Sequence, residues 1–275
     1  MAEKYTVERF GLSHRRACSL IDFNRSTQQY KPKIKADDEH IRKRLNELAK
    51  QRHRWGVKRL HVLLRREGIL INHKRTERIY REEKLLIRMR KRNKVTSVLR
   101  VEMPKAERPN QRLSMDFIID SLSTGRRFKS LTIVDDFSKE SPAILADTSI
   151  PGKKVVEVLD RICDTRGYPE VITVDNGPEF SGKALDEWAY KHGVKLNFIA
   201  PGKPQENAYA ETFNGKYRDE CLNENWFMTI PHTQEIVEAW RLDYNEVRPH
   251  SSLGNLTPVE FRKQFELVTK NAVGL

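Results

Sequence analysis

The apolar positions of this 275-residue chain change rhythm once, from a helical spacing in the first part to a strand-like alternation after about residue 111. From Ala36 to about Gln51, Ile41, Leu45 and Leu48 fall on one side of a predicted helix, and Asp37 and Asp38 stand at its start, where a helix favours negative charge. Val57, Leu60, Leu63 and Leu64 then form the face of a second helix that Gly68 stops, and Asn72 can cap a third. Earlier, Val7, Phe10, Leu12, Ala17 and Leu20 are spaced for two short helices, with Ser26 or Thr27 as caps.

The second part opens with three β-rich runs, RLSMDFIIDSL, FKSLTIVDDFS and SPAILADT, parted by polar turns and expected to form an antiparallel meander. A helix follows, with Pro151 near its start and Gly167 at its end, then a buried strand, VITVDNG. SGKALDEWAYKHGV reads as helix, KLNFIA as strand, and YAETFNGKYRDECL as a last helix after a Gly/Pro loop. The order β-β-β-α-β-α-β-α is that of an α/β ribonuclease H-like core, a mixed sheet flanked by helices, preceded here by an all-α region. The expected divisions are 1–93 (helical, helix-turn-helix-like), 94–110 (basic linker), 111–225 (core) and 226–275 (C-terminal helical extension).

Charge divides the chain at the same place. Residues 1–110 hold 31 Lys and Arg against 13 Asp and Glu, and residues 111–275 hold 20 against 25. A basic domain joined to a mildly acidic one suggests that the first grips a polyanion while the second does something else. Lys74, Arg78 and Arg81 fall at i, i+4 and i+7 on the third helix, a basic stripe suited to a DNA groove or its phosphates. A small helical bundle with a solvated basic face is the alternative. Arg88, Arg90, Lys91, Arg92, Lys94 and Arg100 in the linker would add salt-sensitive phosphate contacts. Cys18, Cys163 and Cys221, an odd number without a CxxC pair, fit a reducing compartment and offer neither a disulfide framework nor a zinc site. With no signal-peptide pattern and no long apolar run, the expected setting is cytoplasmic, with no membrane.

The candidate chemistry lies in three acids. Asp116 falls on the first strand, Asp175 at the end of the fourth, and Glu211 in the first turns of the last helix, with 35 residues between the latter two. On this scaffold the carboxylates are expected to meet at one sheet edge, where mutual repulsion would raise their pKa values and make them oxygen ligands for Mg²⁺ or Mn²⁺. Paired ions can serve an in-line phosphoryl displacement. Asp120 reads as a strand-end acid or an outer support for Asp116, Asp136 as a turn residue, and Glu206 as solvated. Glu179 and Asp135 are further acids nearby. Asn214 and Arg218 continue the helix face of Glu211 toward a DNA phosphate, or Arg218 pairs with a neighbouring acid; Lys216 is off that stripe and would serve the DNA backbone nonspecifically.

The pattern SMDF, TVDNGPEF, PGKPQENAYAETFNGKYRDEC and YNEVRPHSSLGNLTPVEF resembles the second-frame (OrfB) product of the IS-three family of bacterial insertion sequences, within the DDE transposase and retroviral integrase superfamily. The resemblance covers most of the chain. It implies that Asp116, Asp175 and Glu211 bind divalent metal, two ions per site, and catalyse hydrolysis at the element's 3′ ends followed by strand transfer by the freed 3′-OH. The implied partners are double-stranded DNA of element and target, a first-frame OrfA product or fusion, and further copies of the chain on DNA. In the tail box, Arg248 or His250 would approach DNA, or the segment merely packs the C-terminus onto the core. The four tryptophans read as packing residues. A DNA-binding regulator of transposition without catalysis and a ribonuclease H-fold nuclease are the other readings.

Overall fold

The computed structural model describes residues 2–26, 37–87, 105–200 and 207–273. Thr27, Pro104, Glu206 and the linker cations from Arg88 to Arg100 lie outside the described residues.

Helices α1 (Ala2–Phe10) and α2 (His14–Leu20) occupy the first segment, and Ser13 caps α2. The expected apolar face forms only in part: Ala17 is buried beside Cys18, whereas Phe10 and Leu20 are exposed. Helices α3 (Asp38–Gln51), α4 (Val57–Arg66) and α5 (His73–Glu82) enclose their own core of Ile41, Leu45, Leu48, Leu60, Leu64 and Ile79. Asn72 caps α5 as its sequence position predicts, its side chain accepting from Lys74 N at 2.9 Å. Asp38 does more than favour a helix start. Buried, it accepts from Arg75 Nε at 2.6 Å and Arg78 Nη2 at 2.7 Å, and the Arg78 hydrogen bond is the leading cause that holds its pKa down at about 2.

The second part is a five-stranded mixed sheet in the order β3-β2-β1-β4-β5. Its strands are β1 (Arg112–Ser121), β2 (Arg127–Asp135), β3 (Ala143–Asp147), β4 (Val171–Val174) and β5 (Lys195–Phe198). The first three form the expected antiparallel meander, and β4 and β5 join in parallel. Period-two alternation along β1 sends Leu113, Met115 and Phe117 toward a core that includes Val155, Leu159 and Ile162 of α6 (Gly152–Arg166) and Leu185 and Trp188 of α7 (Lys183–His192). Ile118 faces the other way, into a core with Phe213 and Tyr217 of α8 (Ala208–Glu220) and Val237 and Tyr244 of α9 (Ile230–Glu246). Residues beyond 226 therefore share a core with α8, and packing does not separate an extension at that point. The last helix, α10, is Pro258–Val273.

The helical region docks on the second part through arginine–carboxylate pairs. Arg52 reaches Asp243 (2.5 Å), Arg54 reaches Glu224 (2.6 Å), Arg59 reaches Glu220 (3.3 Å) and Arg66 reaches Glu260 (2.6 Å). Part of the charge asymmetry read from the sequence is thus satisfied within the chain. Among the described residues no helix is long and apolar enough to cross a membrane, and the three cysteines are free and buried.

Candidate active site

Asp116 sits in the middle of β1, opposite Thr132 of β2. This is the central strand, so the acid lies inside the sheet's span; the expected position at a sheet edge is corrected by the strand order. Alternation places Asp116 on the face that carries α8, and two hydrogen bonds orient its carboxylate. Phe117 N donates to Oδ1 at 2.8 Å and Asn214 Nδ2 donates to Oδ2 at 2.7 Å. The amide orientation of Asn214 follows from its partners: an ionised carboxylate only accepts, so Nδ2 must face it, and Oδ1 then accepts from Thr132 Oγ1 at 2.8 Å. Asn207, buried at the start of α8, donates to Met115 O at 3.1 Å and fixes the helix to β1 beside Asp116.

Asp175 follows the last residue of β4. The parallel register pairs Ser114 with Thr173, and two places further on it sets Asp175 alongside Asp116. Gly177 N donates to Asp175 Oδ1 at 3.0 Å, and a Cβ at residue 177 would lie 2.9 Å from that oxygen. A side chain at 177 would therefore push the Asp175 carboxylate aside. Glu211 is exposed on the first turn of α8.

The pKa of Asp116 rises from 3.8 to about 6. Burial is the leading cause, the negative charges of Asp175 and Glu211 add to it, and the hydrogen bonds from Phe117 and Asn214 oppose it. Asp116 therefore feels both other acids. Among the described residues, however, no three His, Cys, Asp or Glu side chains are gathered closely enough to hold a metal ion. The donor set suits a hard divalent cation, being all carboxylate oxygen, and the charges of Asp175 and Glu211 that add to the rise at Asp116 are ones a cation would offset.

Several neighbouring residues play other parts. Asp135 accepts from the backbone of Asn110, Phe137 and Ser138, while buried Asp136 accepts from Ser114 Oγ at 2.6 Å, so both close the turn after β2. Glu179 pairs with Lys129. Asp120 is half-buried and accepts from Ser121 N. Arg218 is exposed, with Nη2 donating to Ile119 O at 3.2 Å.

Burial argues against four expected DNA contacts. Asn214 is turned inward by Thr132 and Asp116. Arg248, 2% exposed, makes a bidentate pair with Glu220 (2.6 and 2.7 Å), and His250 is buried edge-on to Tyr244. Lys216 is also enclosed, its ammonium 5.7 Å from the Tyr244 ring centroid, and burial lowers its pKa to about 8. On α5, Lys74 and Arg81 are exposed, whereas Arg78 is held by Asp38. Thr132 and Asn207 were not singled out from sequence. Their only signal is a polar residue on an otherwise apolar strand and an asparagine just before the helix carrying Glu211.

A strand bearing one acid, beside a parallel strand ending in a second, with a helix bearing a third above them, defines a polynucleotidyl-transferase core of the integrase type. The family comparisons agree: an HTH-like domain matches residues 35–93, and integrase core domains match 106–204 and 192–258. The chain is 49% identical over 254 residues to the insertion element IS407 uncharacterized 31.7 kDa protein of Burkholderia multivorans, covering 92% of each. It is 26% identical to the putative transposase InsK for insertion sequence element IS150 of Escherichia coli, covering 82% of this chain and 83% of that protein. A solved chain of the simian T-cell lymphotropic virus intasome has the same fold, with a TM-score of 0.51 at 16% identity over 79% of this chain and 74% of that one. The chain belongs to the insertion-sequence transposases, in the IS-three group of the DDE transposase and integrase superfamily.

Proposed function

We propose that the chain cleaves the 3′ ends of an insertion sequence and joins them to target DNA, with Asp116, Asp175 and Glu211 as the catalytic carboxylates. The observation that carries this reading is Asp116 on the central strand, alongside Asp175, with a pKa raised to about 6 in part by both other acids. In the first reaction a water oxygen bonds to phosphorus as a phosphodiester P–O bond breaks, freeing a 3′-OH. In the second that hydroxyl attacks a target phosphodiester, and one P–O bond again replaces another. Asp116, Asp175 and Glu211 would hold Mg²⁺ or Mn²⁺, two ions in all, and the cations would offset the negative charge on the attacking and leaving oxygens. The chain's own task is to hold the ligands. Asn214 and the Phe117 N–H aim Asp116, the Gly177 N–H aims Asp175, and α8 carries Glu211.

Lys74 and Arg81 of the helical region, with Arg218 of α8, are the exposed cations proposed to meet DNA phosphates. A first-frame partner product and further copies of the chain would complete the assembly. The test is Mg²⁺-dependent joining of a labelled 3′-OH end to plasmid DNA by the parent, Asp116→Asn and Glu211→Gln, with and without the first-frame product. Joining that both substitutions abolish supports the reading. DNA binding without joining, even with the partner present, refutes it in favour of a noncatalytic regulator.

A further inference from the structure

Packing accounts for three of the four tryptophans. Trp55 and Trp188 are buried, and Trp240 lies against Phe213, Tyr217 and Tyr244 with ring centroids 5.7, 5.2 and 5.2 Å away. Trp226 departs from that expectation: it is 81% exposed, and Met228, two residues on, is 57% exposed. The segment that carries them is nevertheless fixed. Phe227 points inward, edge-on to Phe128 at 5.4 Å, and its carbonyl accepts from Ser123 N at 2.7 Å. Thr229 then caps α9 by accepting from His232 N. An indole presented to water from a segment anchored on both sides is poised to be covered by a partner.

The charge around it indicates which partner. Ser123 belongs to the β1–β2 turn, and Arg126 at the end of that turn and Arg127 at the start of β2 are exposed with no ion pair among the described residues. Arg218 is exposed beside the same strand end, its Nη2 donating to the Ile119 carbonyl. The acids that shortly precede Trp226 in the chain are engaged: Asp219 and Glu224 by Arg54 at 3.5 and 2.6 Å, and Glu220 by Arg248 at 2.6 Å. Asp120 alone opposes from β1, with Oδ1 accepting from Ser121 N. An exposed indole on a segment hydrogen-bonded to a turn flanked by exposed guanidinium groups fits a nucleic acid with an unstacked base, since every base has a face to stack and every nucleotide brings a phosphate.

We propose that Trp226, with Arg126, Arg127 and Arg218, forms a stacking platform for a single-stranded or distorted stretch of DNA flanking the bond acted on at Asp116. The location suits that role, which rests on the carboxylate reading. Five residues of β1 separate Asp116 from Ser121, about 17 Å at ~3.4 Å per residue, or about five base steps at 3.4 Å each.

The experiment follows binding without divalent cation, so that it does not depend on catalysis. The full chain is titrated with labelled oligothymidylate and with a mixed-sequence duplex, recording anisotropy and tryptophan emission. Oligothymidylate is expected to quench the parent's emission, and Trp226→Phe to lose most of that quench while keeping much of the affinity. Trp226→Ala is expected to weaken oligothymidylate binding about 5- to 100-fold with unchanged thermal stability. Arg126→Ala and Arg127→Ala would each reduce the salt dependence. Oligothymidylate affinity of Trp226→Ala within twofold of the parent, or an undiminished quench in Trp226→Phe, overturns the platform. So does a change confined to self-association in sedimentation, which would assign the surface to a second copy. Normal binding with no strand transfer would instead count against the carboxylate reading alone.

Discussion

Asn214 reaches Asp116 across two elements, its Nδ2 donating to the carboxylate Oδ2 at 2.7 Å while its Oδ1 accepts from Thr132 at 2.8 Å. The amide links helix α8 to strands β1 and β2 at the carboxylate proposed to hold a cation. Groups that orient a metal ligand typically matter by 10- to 100-fold in affinity or activity. Asn214→Ala is therefore expected to raise the Mg²⁺ concentration needed for half-maximal joining by about tenfold, and to raise the pKa of Asp116 by removing a bond that favours its ionised form. A magnesium titration of strand transfer at two pH values reads both effects. Unchanged magnesium dependence would remove the positioning role.

A pH dependence of stability follows from Asp116 itself. Its folded pKa of about 6 lies above its ordinary value of 3.8, so between those values the folded protein binds more protons than the unfolded chain. The sign is destabilising on ionisation: stability contributed by this group falls as pH rises from about 4 to about 6, then stays level. Asp116→Asn should flatten that window and raise the melting temperature of the metal-free protein at pH 7, an effect of about 1–2 kcal/mol after allowance for the solvent that reaches the site. Added Mg²⁺ should stabilise the parent and not the variant. Thermal melts across pH 4 to 8, with and without the cation, check this.

Much of the site was legible because strand order and alternation act on the residues locally. Asp116 falls mid-strand and Asp175 at a strand end, and the meander followed by parallel strands sets them side by side. What the sequence hid were partners distant along the chain. Arg248 looks like a surface cation until Glu220, at the end of α8, accepts from its Nε and Nη2, and the basic RWGVKRL segment looks wholly available until Arg54 and Arg59 meet Glu224 and Glu220. Nor does composition reveal which aromatic of Trp226 and Phe227 enters the core; the contact with Phe128 decides it.

The basic stripe of α5 separates into two roles. Lys74 and Arg81 are exposed, and their substitution by alanine is expected to weaken DNA binding across sequences while lowering the salt slope by about one each. Arg78 and Arg75 together hold buried Asp38. Arg78→Ala is expected to lower the melting temperature, by roughly 1–3 kcal/mol for a charge-assisted bond. Asp38, with its pKa held at about 2, contributes stability that is present above its ordinary 3.8 and is lost as pH falls through about 2. Paired DNA titrations and melts distinguish the roles; equal loss of binding with unchanged stability in all three alanine variants would contradict the separation.

Glu220 is the most consequential acid outside the active site. Its carboxylate accepts from Nε and Nη2 of Arg248 and, at 3.3 Å, from Arg59 of the helical region, at the end of the helix that begins near Glu211. Glu220→Gln leaves the buried Arg248 guanidinium without its counter-charge, a loss of about 3–5 kcal/mol when one partner of a buried pair is removed. Arg59→Ala removes only a partly exposed cation, and burial together with the Arg248 charge already opposes ionisation of Arg59. It should cost less than about 1 kcal/mol. The double variant should therefore melt close to Glu220→Gln alone. Urea unfolding of the three variants measures the coupling, and a loss in Arg59→Ala as large as that in Glu220→Gln would show that docking of the helical region, rather than the buried Arg248 pair, is what Glu220 supports.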